Sequence, residues 1–576
     1  MSSSCGTLNK SVLEGTRQAL EEVEEATPLW IEHVHAPNQG RDHLGLGTVA
    51  SDQLLEKLSP GIRALTIHPR YFSFYAFVIE EFWQHEFPRD AASFKRFYRY
   101  CELMYSVGVK ACDRDTHRDF AGVVGSDKTG AWAREHLSPI GSNLDYIQTS
   151  LGGYGLYYKG RLQELEVSLP AGETVPLDDG KTAAFAVDVV TPRGKVLAAA
   201  FREAVKDTRF YRDYLGGFED VPFEVAAEFG KAGCLCGLTD DSAPDRRPLL
   251  DMFMSAGRRP EDRRDTFRYF LDLADQTQGY ALTQPRFRRL VYFGADGEGA
   301  AFVPSSENLQ THRGWRLYQA REYYAYALNT LWAHLCAWGI RNIGDLQPIA
   351  LSTIRAHFLS SSSPDVFAEA AGVAASGLNH ETPWGDVVSW YASSARAESA
   401  VACDSGDVDA PLHEARLIVL ARDVGGDSTV AAMIGVLALV CARYGDFELT
   451  ARPEWMLARF GHDERLSLDE FLRDLRAWGA AGDLTLGRVV TRLLERYVIA
   501  QHMLISSRKM PENTFRFERE GDGLRFYEHA NPVGFMDSRF FAISSHLADL
   551  GLCGEFGEAE HPLSSDGRAL LEQGTV

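Results

Sequence analysis

The chain has no long hydrophobic run. A membrane helix needs about eighteen or more unbroken apolar residues, and the best candidate, Val430 to Ala442, is about thirteen and reads as a buried core helix. Bases are few for the number of acids, 59 against 80, giving a formal charge of −21. That excludes a globally basic nucleic-acid coat protein but not a local basic groove. Cysteine is sparse, nine scattered residues in 576, an odd number unlike the dense even sets of secreted disulfide frameworks. Met1 to Lys10 is polar and leads into the acidic Glu21 to Glu25, with no apolar h-region and no A-x-A cleavage site. These features point to a cytoplasmic chain with reduced thiols and no membrane association.

The common chemical signatures are missing too. There is no G-x-x-x-x-G-K-[ST] loop, no G-x-S-x-G elbow and no H-E-x-x-H helix. Gly45-Leu46-Gly47-Thr48-Val49-Ala50 matches a GxGxxA string. The residues before it, Asn38 to Asp42, are polar and cannot be the apolar strand a dinucleotide fold requires. Pro244-Asp245 starts a PD-type nuclease motif without the E-x-K that must help hold its metal. Cys234-Leu235-Cys236 lacks a second pair or a nearby His at zinc-like spacing and reads as buried reduced thiols. No metal and no cofactor is expected.

What is present, 45% hydrophobic, 11% aromatic and 24% charged residues, describes a folded protein. The pattern is mainly α and multidomain, with small β-hairpins. An acidic amphipathic helix is expected within residues 1–30. Two aromatic-rich helices follow Pro69, separated by Pro88-Arg89-Asp90, and form an αα-hairpin. From Gly152 to Val190 the texture suggests a hairpin, closed by Thr191-Pro192 at the start of a helix. Residues 205–400 read as almost wholly helical, with a turn at Ser360 to Pro364 and a linker at Glu398 to Pro411. Helices resume at Leu412 to Asp423, Thr429 to Tyr444, Leu468 to Trp478 and Leu486 to His502.

Near the C-terminus, Leu547-Ala548-Asp549-Leu550-Gly551-Leu552, a short polar connection and Ser564-Ser565-Asp566-Gly567-Arg568 have the order of the wing end of a winged helix. Such a domain needs a glycine-tolerant C-cap, a two-strand wing and a Ser or Thr N-cap. A similar order runs through residues 140–202. The resulting plan has four segments: an N-terminal helical domain (1–140), a winged-helix-like segment (141–205), a central helical domain (206–405), and a C-terminal helical domain ending in a winged helix (406–576).

Two sets of residues are candidates for chemistry. Arg496 and His502 resemble the Arg and His pair of HEPN ribonucleases, in which the His acts on the 2′-hydroxyl and the Arg steadies the phosphate; Tyr497 departs from that family's usual polar residue. On a regular helix six positions subtend about 600°, leaving the two side chains roughly 120° apart, so the pair needs a local helix break or a partner subunit. The second set is an arginine- and aromatic-rich stretch. Arg286, Arg288, Arg289, Arg316 and Arg321 lie among Tyr269, Phe287, Trp315, Tyr318, Tyr323 and Tyr324. Arginine forks for phosphates and aromatic faces for bases are what a nucleic-acid groove uses, although surface ion pairs are the more ordinary use of such residues.

Leu44-Gly45-Leu46-Gly47, Leu58-Ser59-Pro60-Gly61, Thr66 and Arg70-Tyr71-Phe72-Ser73-Phe74 together resemble the opening of an uncharacterised bacterial family. Its members look like companions of helicase and phospholipase-D-type genes in phage-defence loci. The resemblance carries no catalytic residues. It implies a bacterial cytosolic subunit of an antiviral defence complex, partnered by separately encoded helicase- or nuclease-type proteins. The function expected is therefore a non-catalytic nucleic-acid-sensing or scaffold subunit; the alternative is a nuclease using Arg496 and His502.

Overall fold

A computed structural model describes residues 42–46, 54–114, 120–176, 182–296, 299–344, 347–372, 376–396, 414–420, 424–444, 468–480, 484–510, 514–529 and 534–574. The expected acidic N-terminal helix, residues 47–50 of the glycine string and the 398–411 linker lie outside them. The protein is mainly helical with small antiparallel sheets, and no helix among the described residues is long and apolar enough to cross a membrane. It divides into two compact units, neither of them one continuous stretch. The first is Asp52–Gln319 with Asp537–Val576; the second takes the described residues before Ser51 and Ala320–Met536.

The first unit is built around the two aromatic helices, Arg70–Gln84 and Ala91–Lys110. Asp90 ends the break between them by accepting the Ser93 N–H at 2.8 Å, an N-cap that offsets an orphan donor of the first turn. Phe72, Phe74, Phe77, Phe82 and Phe97 are fully buried, and Phe74 stacks on Tyr105 with ring centroids 4.2 Å apart. This face is core. Phe77→Ala should therefore cost about 3–5 kcal/mol, read as a lowered urea midpoint. At its heart sits Glu102, also fully buried. One carboxylate oxygen accepts from Tyr146 Oη (2.6 Å) and the Gly153 N–H (2.6 Å), the other from Tyr75 Oη (2.8 Å) and the Tyr154 N–H (3.0 Å). Those amides open a helical run, Tyr154–Tyr158 and Lys159–Glu164, where the sequence suggested a hairpin. Burial pushes the Glu102 carboxyl up, against four hydrogen bonds that favour its charged form; its oxygens meet the unpaired N–H groups at the start of this helix, so Glu102 supports helix where the glycines suggested strand.

The recurring order noticed in the sequence is a repeated local structure. After Lys159–Glu164, Val167 donates its N–H to the Leu162 carbonyl. After Phe540–Asp549, Leu552 donates likewise to Leu547. The next helix in each copy returns to the residue that made this bond: Thr191 N–H to Val167 O and Ser564 N–H to Leu552 O, both 3.0 Å. Thr191 and Ser564 then accept from the N–H groups of Gly194 and Gly567, capping Pro192–Val205 and Ser565–Gln573. Both glycines are dictated by space, since a Cβ would lie 2.0 Å from the Val167 oxygen at Gly194 and 1.9 Å from the Leu552 oxygen at Gly567. Between the halves, the first copy carries two small hairpins, Ser168–Leu169 with Val189–Val190 and Thr174–Pro176 with Thr182–Ala184. The second has a single bridge, Cys553 to Leu563. Gly567→Ala should cost about 2–3 kcal/mol by overpacking, measurable as a lowered urea midpoint.

The C-terminal copy completes the first unit's core. Phe540 packs 5.8 Å from Phe270 and 5.1 Å from Phe287, and His546 lies 4.9 Å from Phe253. Arg539 donates to the carbonyls of Leu55 (3.1 Å), Ser59 (3.1 Å) and Ile62 (2.6 Å). His68 meets the Asp549 carboxylate at 2.7 Å.

In the second unit the Thr429–Tyr444 helix, apolar on all sides, is buried from Val430 to Val440, as that pattern requires. It packs on Pro364–Ala371, Trp384–Arg396 and Glu414–Leu420. Ser360 to Pro364 is the expected turn, with Pro364 at the first position of its helix. A three-stranded antiparallel sheet sets Gly523–Phe526 between Ile349–Ala350 and Phe517–Glu520. Leu486–Arg492 runs on through a π-helical stretch, Leu493–Ala500, into Gln501–Arg508.

Candidate functional site

The π-helical stretch is a local break of the kind the Arg496 and His502 pair would need, yet the two side chains take different surroundings. Arg496 is half-exposed and pairs with Glu470 (3.2 Å) and Asp474 (3.1 Å) on the Leu468–Ala480 helix. His502 is fully buried among His43, Trp332, Phe515 and Phe517. Its Nε2 accepts the Arg516 backbone N–H at 3.0 Å, which places the ring proton on Nδ1, facing the His43 carbonyl at 3.4 Å. Burial, reinforced by His43, pulls its pKa down to about 3. A neutral ring with Nε2 already bonded to a backbone amide lacks the accessible nitrogen that proton transfer requires. His43 stacks on Trp332 at 4.6 Å, donates Nδ1–H to the Thr514 carbonyl, and is lowered to about 4, mainly by burial.

The arginine stretch is likewise drawn into the fold. Thr283 caps the Gln284–Phe293 helix that carries Arg286, Arg288 and Arg289, all half-buried. Arg286 reaches back, donating Nε–H to the buried Asp296 at 2.5 Å and Nη1–H to the Ala281 carbonyl. Arg316 is half-buried on the Leu309–Asn342 helix, and its positive charge helps lower nearby His312 to about 4, after burial. Arg321 belongs to the second unit, is 1% exposed and pairs with the equally buried Glu322 at 3.3 Å. Arg286→Ala leaves the Asp296 carboxylate buried without this partner. It should cost about 2 kcal/mol of stability, seen as a lower urea midpoint, while leaving any nucleic-acid affinity unchanged.

The residues that carry the family resemblance are also used structurally. Ser59 Oγ donates to Leu55 O, Gly61 N–H to Glu164, and Thr66 Oγ1 to Arg63 O. Tyr71 Oη accepts from the Val124 N–H. Arg70 forks onto the buried Asp245 carboxylate, Nε to Oδ2 at 3.1 Å and Nη2 to Oδ1 at 2.9 Å, and Ser73 Oγ donates to the same carboxylate at 2.7 Å. Asp245 is the aspartate of the would-be PD motif; it is fully buried, and both its oxygens accept from Arg70 and Ser73.

Beside that pair lies an arrangement the sequence did not disclose. Arg70 Nη1 donates to the Cys234 carbonyl, in the loop where Cys234 and Cys236 follow the Phe223–Ala232 helix. Cys112, 124 residues before Cys236, joins them, its sulfur 3.9 Å from that of Cys236. All three thiols are buried and their sulfurs lie within 4.8 Å of one another. The helices bring them together. Gly108 and Gly230, each four residues before a cysteine, face one another so closely that a Cβ on Gly230 would lie 1.9 Å from the Gly108 carbonyl carbon. Hydrogen bonding between the sulfurs, together with burial, pushes the Cys234 thiol far up. The signal that could have found Cys112 is this glycine-to-cysteine spacing of four, present at both helix ends.

The chain matches no family model, no curated protein and no solved structure.

Proposed function

We propose that this chain is a non-catalytic scaffold subunit of a bacterial anti-phage defence assembly, binding separately encoded helicase- or nuclease-type proteins. The observation that carries this reading is where the candidate residues sit. Arg286, Arg321 and His502, the groups that would hold phosphate or move a proton, are engaged within the fold. Residues 538–572 are read as a winged-helix-like segment, its wing reduced to the Cys553 to Leu563 bridge, that turns toward protein. From Phe517 to Val576 there are eleven acids and four bases, and Glu555, Glu558 and Glu560 are exposed on the connection that would be the wing. Such a wing repels a phosphate backbone.

The test uses the purified full chain with labelled RNA and DNA, with and without Mg2+, and with a candidate helicase-type partner co-expressed from the same host. A stoichiometric complex with that protein, no cleavage and no salt-dependent nucleic-acid binding is the expected result. Salt-dependent binding whose slope flattens by about one unit in Arg288→Ala or Arg289→Ala would shift the reading to nucleic-acid sensing. RNA cleavage lost in His502→Gln, with the urea midpoint retained, would overturn it in favour of a nuclease.

A further inference from the structure

We propose that Cys112, Cys234 and Cys236 form a three-thiolate site for one Zn2+ ion. Three buried sulfurs within 4.8 Å of one another are more than one disulfide can use, since a disulfide joins two and leaves the third over. They match the donor set of a thiophilic ion. A tetrahedral zinc with sulfurs at about 2.3 Å separates neighbouring sulfurs by about 3.8 Å, and the Cys112 and Cys236 sulfurs are 3.9 Å apart.

Each thiol gives up its proton to solvent as its sulfur bonds the metal. Three thiolates and a dication leave one net negative charge, and cations flank the site. Arg70 is balanced by Asp245 but fixes the loop through the Cys234 carbonyl, and Arg114, close enough to act on the Cys236 sulfur, offsets the net negative charge of the three-thiolate complex. Gly237 makes room for both guanidiniums, because a Cβ there would lie 2.5 Å from Arg114 Nη1 and 2.9 Å from Arg70 Nη1. The fourth tetrahedral position is taken by water or a small exogenous ligand. The ion would pin the C-terminal ends of Ala91–Lys110 and Phe223–Ala232 to one another, at the point where their glycines already bring the backbones into contact.

The experiment measures zinc by elemental analysis in the full chain purified without chelator, then follows exchange with Co2+. One zinc per chain is expected, together with a thiolate-to-cobalt charge-transfer absorption on replacement and a lower melting temperature after chelation that added zinc restores. Cys112→Ser and Cys236→Ser should lose the metal and the absorption, while Cys336→Ser, a buried thiol of the second unit, should keep both. If the variants fail to fold, the wild-type cobalt spectrum and thermal shift still decide. A wild-type chain that holds no zinc, gives no thiolate absorption with Co2+ and melts at the same temperature with and without zinc would overturn the proposal. So would a zinc content that survives loss of these cysteines.

Discussion

Replacing Glu102 with alanine should cost the first unit about 3–5 kcal/mol, because it strands two backbone N–H groups and two tyrosine hydroxyls in a fully buried site. Glutamine is the sharper probe. Each carboxylate oxygen accepts one hydroxyl and one backbone N–H, from Gly153 on one side and Tyr154 on the other. A hydroxyl can turn to accept from an amide; a backbone N–H cannot. Either orientation of the substituted carboxamide therefore sets its NH2 against a donor, and Glu102→Gln should cost about 2–3 kcal/mol despite near-identical shape. Urea midpoints at neutral pH measure both, and a Glu102→Gln chain as stable as wild type would show that the carboxyl is protonated in the fold.

Mild acid should destabilise the second unit. His43 and His502 are held at about 4 and about 3 by burial, whereas in the unfolded chain they titrate near 6.5. Below that value the unfolded chain binds protons the folded rings refuse, so stability is fully present above about pH 6.5 and is lost as the pH falls toward the folded values. At about 1.4 kcal/mol per unit for each ring, the two together should remove roughly 3–4 kcal/mol by pH 5. Tryptophan-monitored urea unfolding at pH 7.5 and pH 5 reads this directly. His502→Gln, whose carbonyl can still accept from Arg516 N–H, should lose that ring's own share, about 2 kcal/mol, and keep the part that His43 and the likewise depressed His357 contribute; equal midpoints at the two pH values for wild type would mean the rings take up charge inside the fold.

Much of the helical framework was legible because it rests on local pattern. The all-apolar Thr429–Tyr444 helix, the proline break before Ala91 and the serine turn before Pro364 are each specified by neighbouring residues. The repeated capping arrangement was legible for the same reason, since Thr191 with Gly194 and Ser564 with Gly567 sit three residues apart. What escaped depends on distance along the chain. Gly152 to Tyr154 looks like turn and strand until a carboxylate about fifty residues earlier meets its amides. Asp245 looks like half a nuclease motif until Arg70 occupies it, and Cys234 and Cys236 look incomplete until Cys112 arrives from just past the end of another helix. A charged side chain on a helix also does not declare whether it faces solvent or an inward partner, which is why Arg286 and Arg321 could be read as a groove.

The discontinuity of the first unit has a consequence during synthesis. Phe270, Phe287 and Phe253 are covered in part by Phe540 and His546, residues that leave the ribosome only after the whole second unit has been translated. At about 5–20 residues per second, the interval between Gln319 and the last helix is roughly 10–50 s. For that time the nascent chain carries an open aromatic face, and a message truncated near codon 536 would leave it open for good. Chaperone dependence, and a sharp loss of yield on deleting the last forty or so residues, are the marks this chain order should leave in the cell.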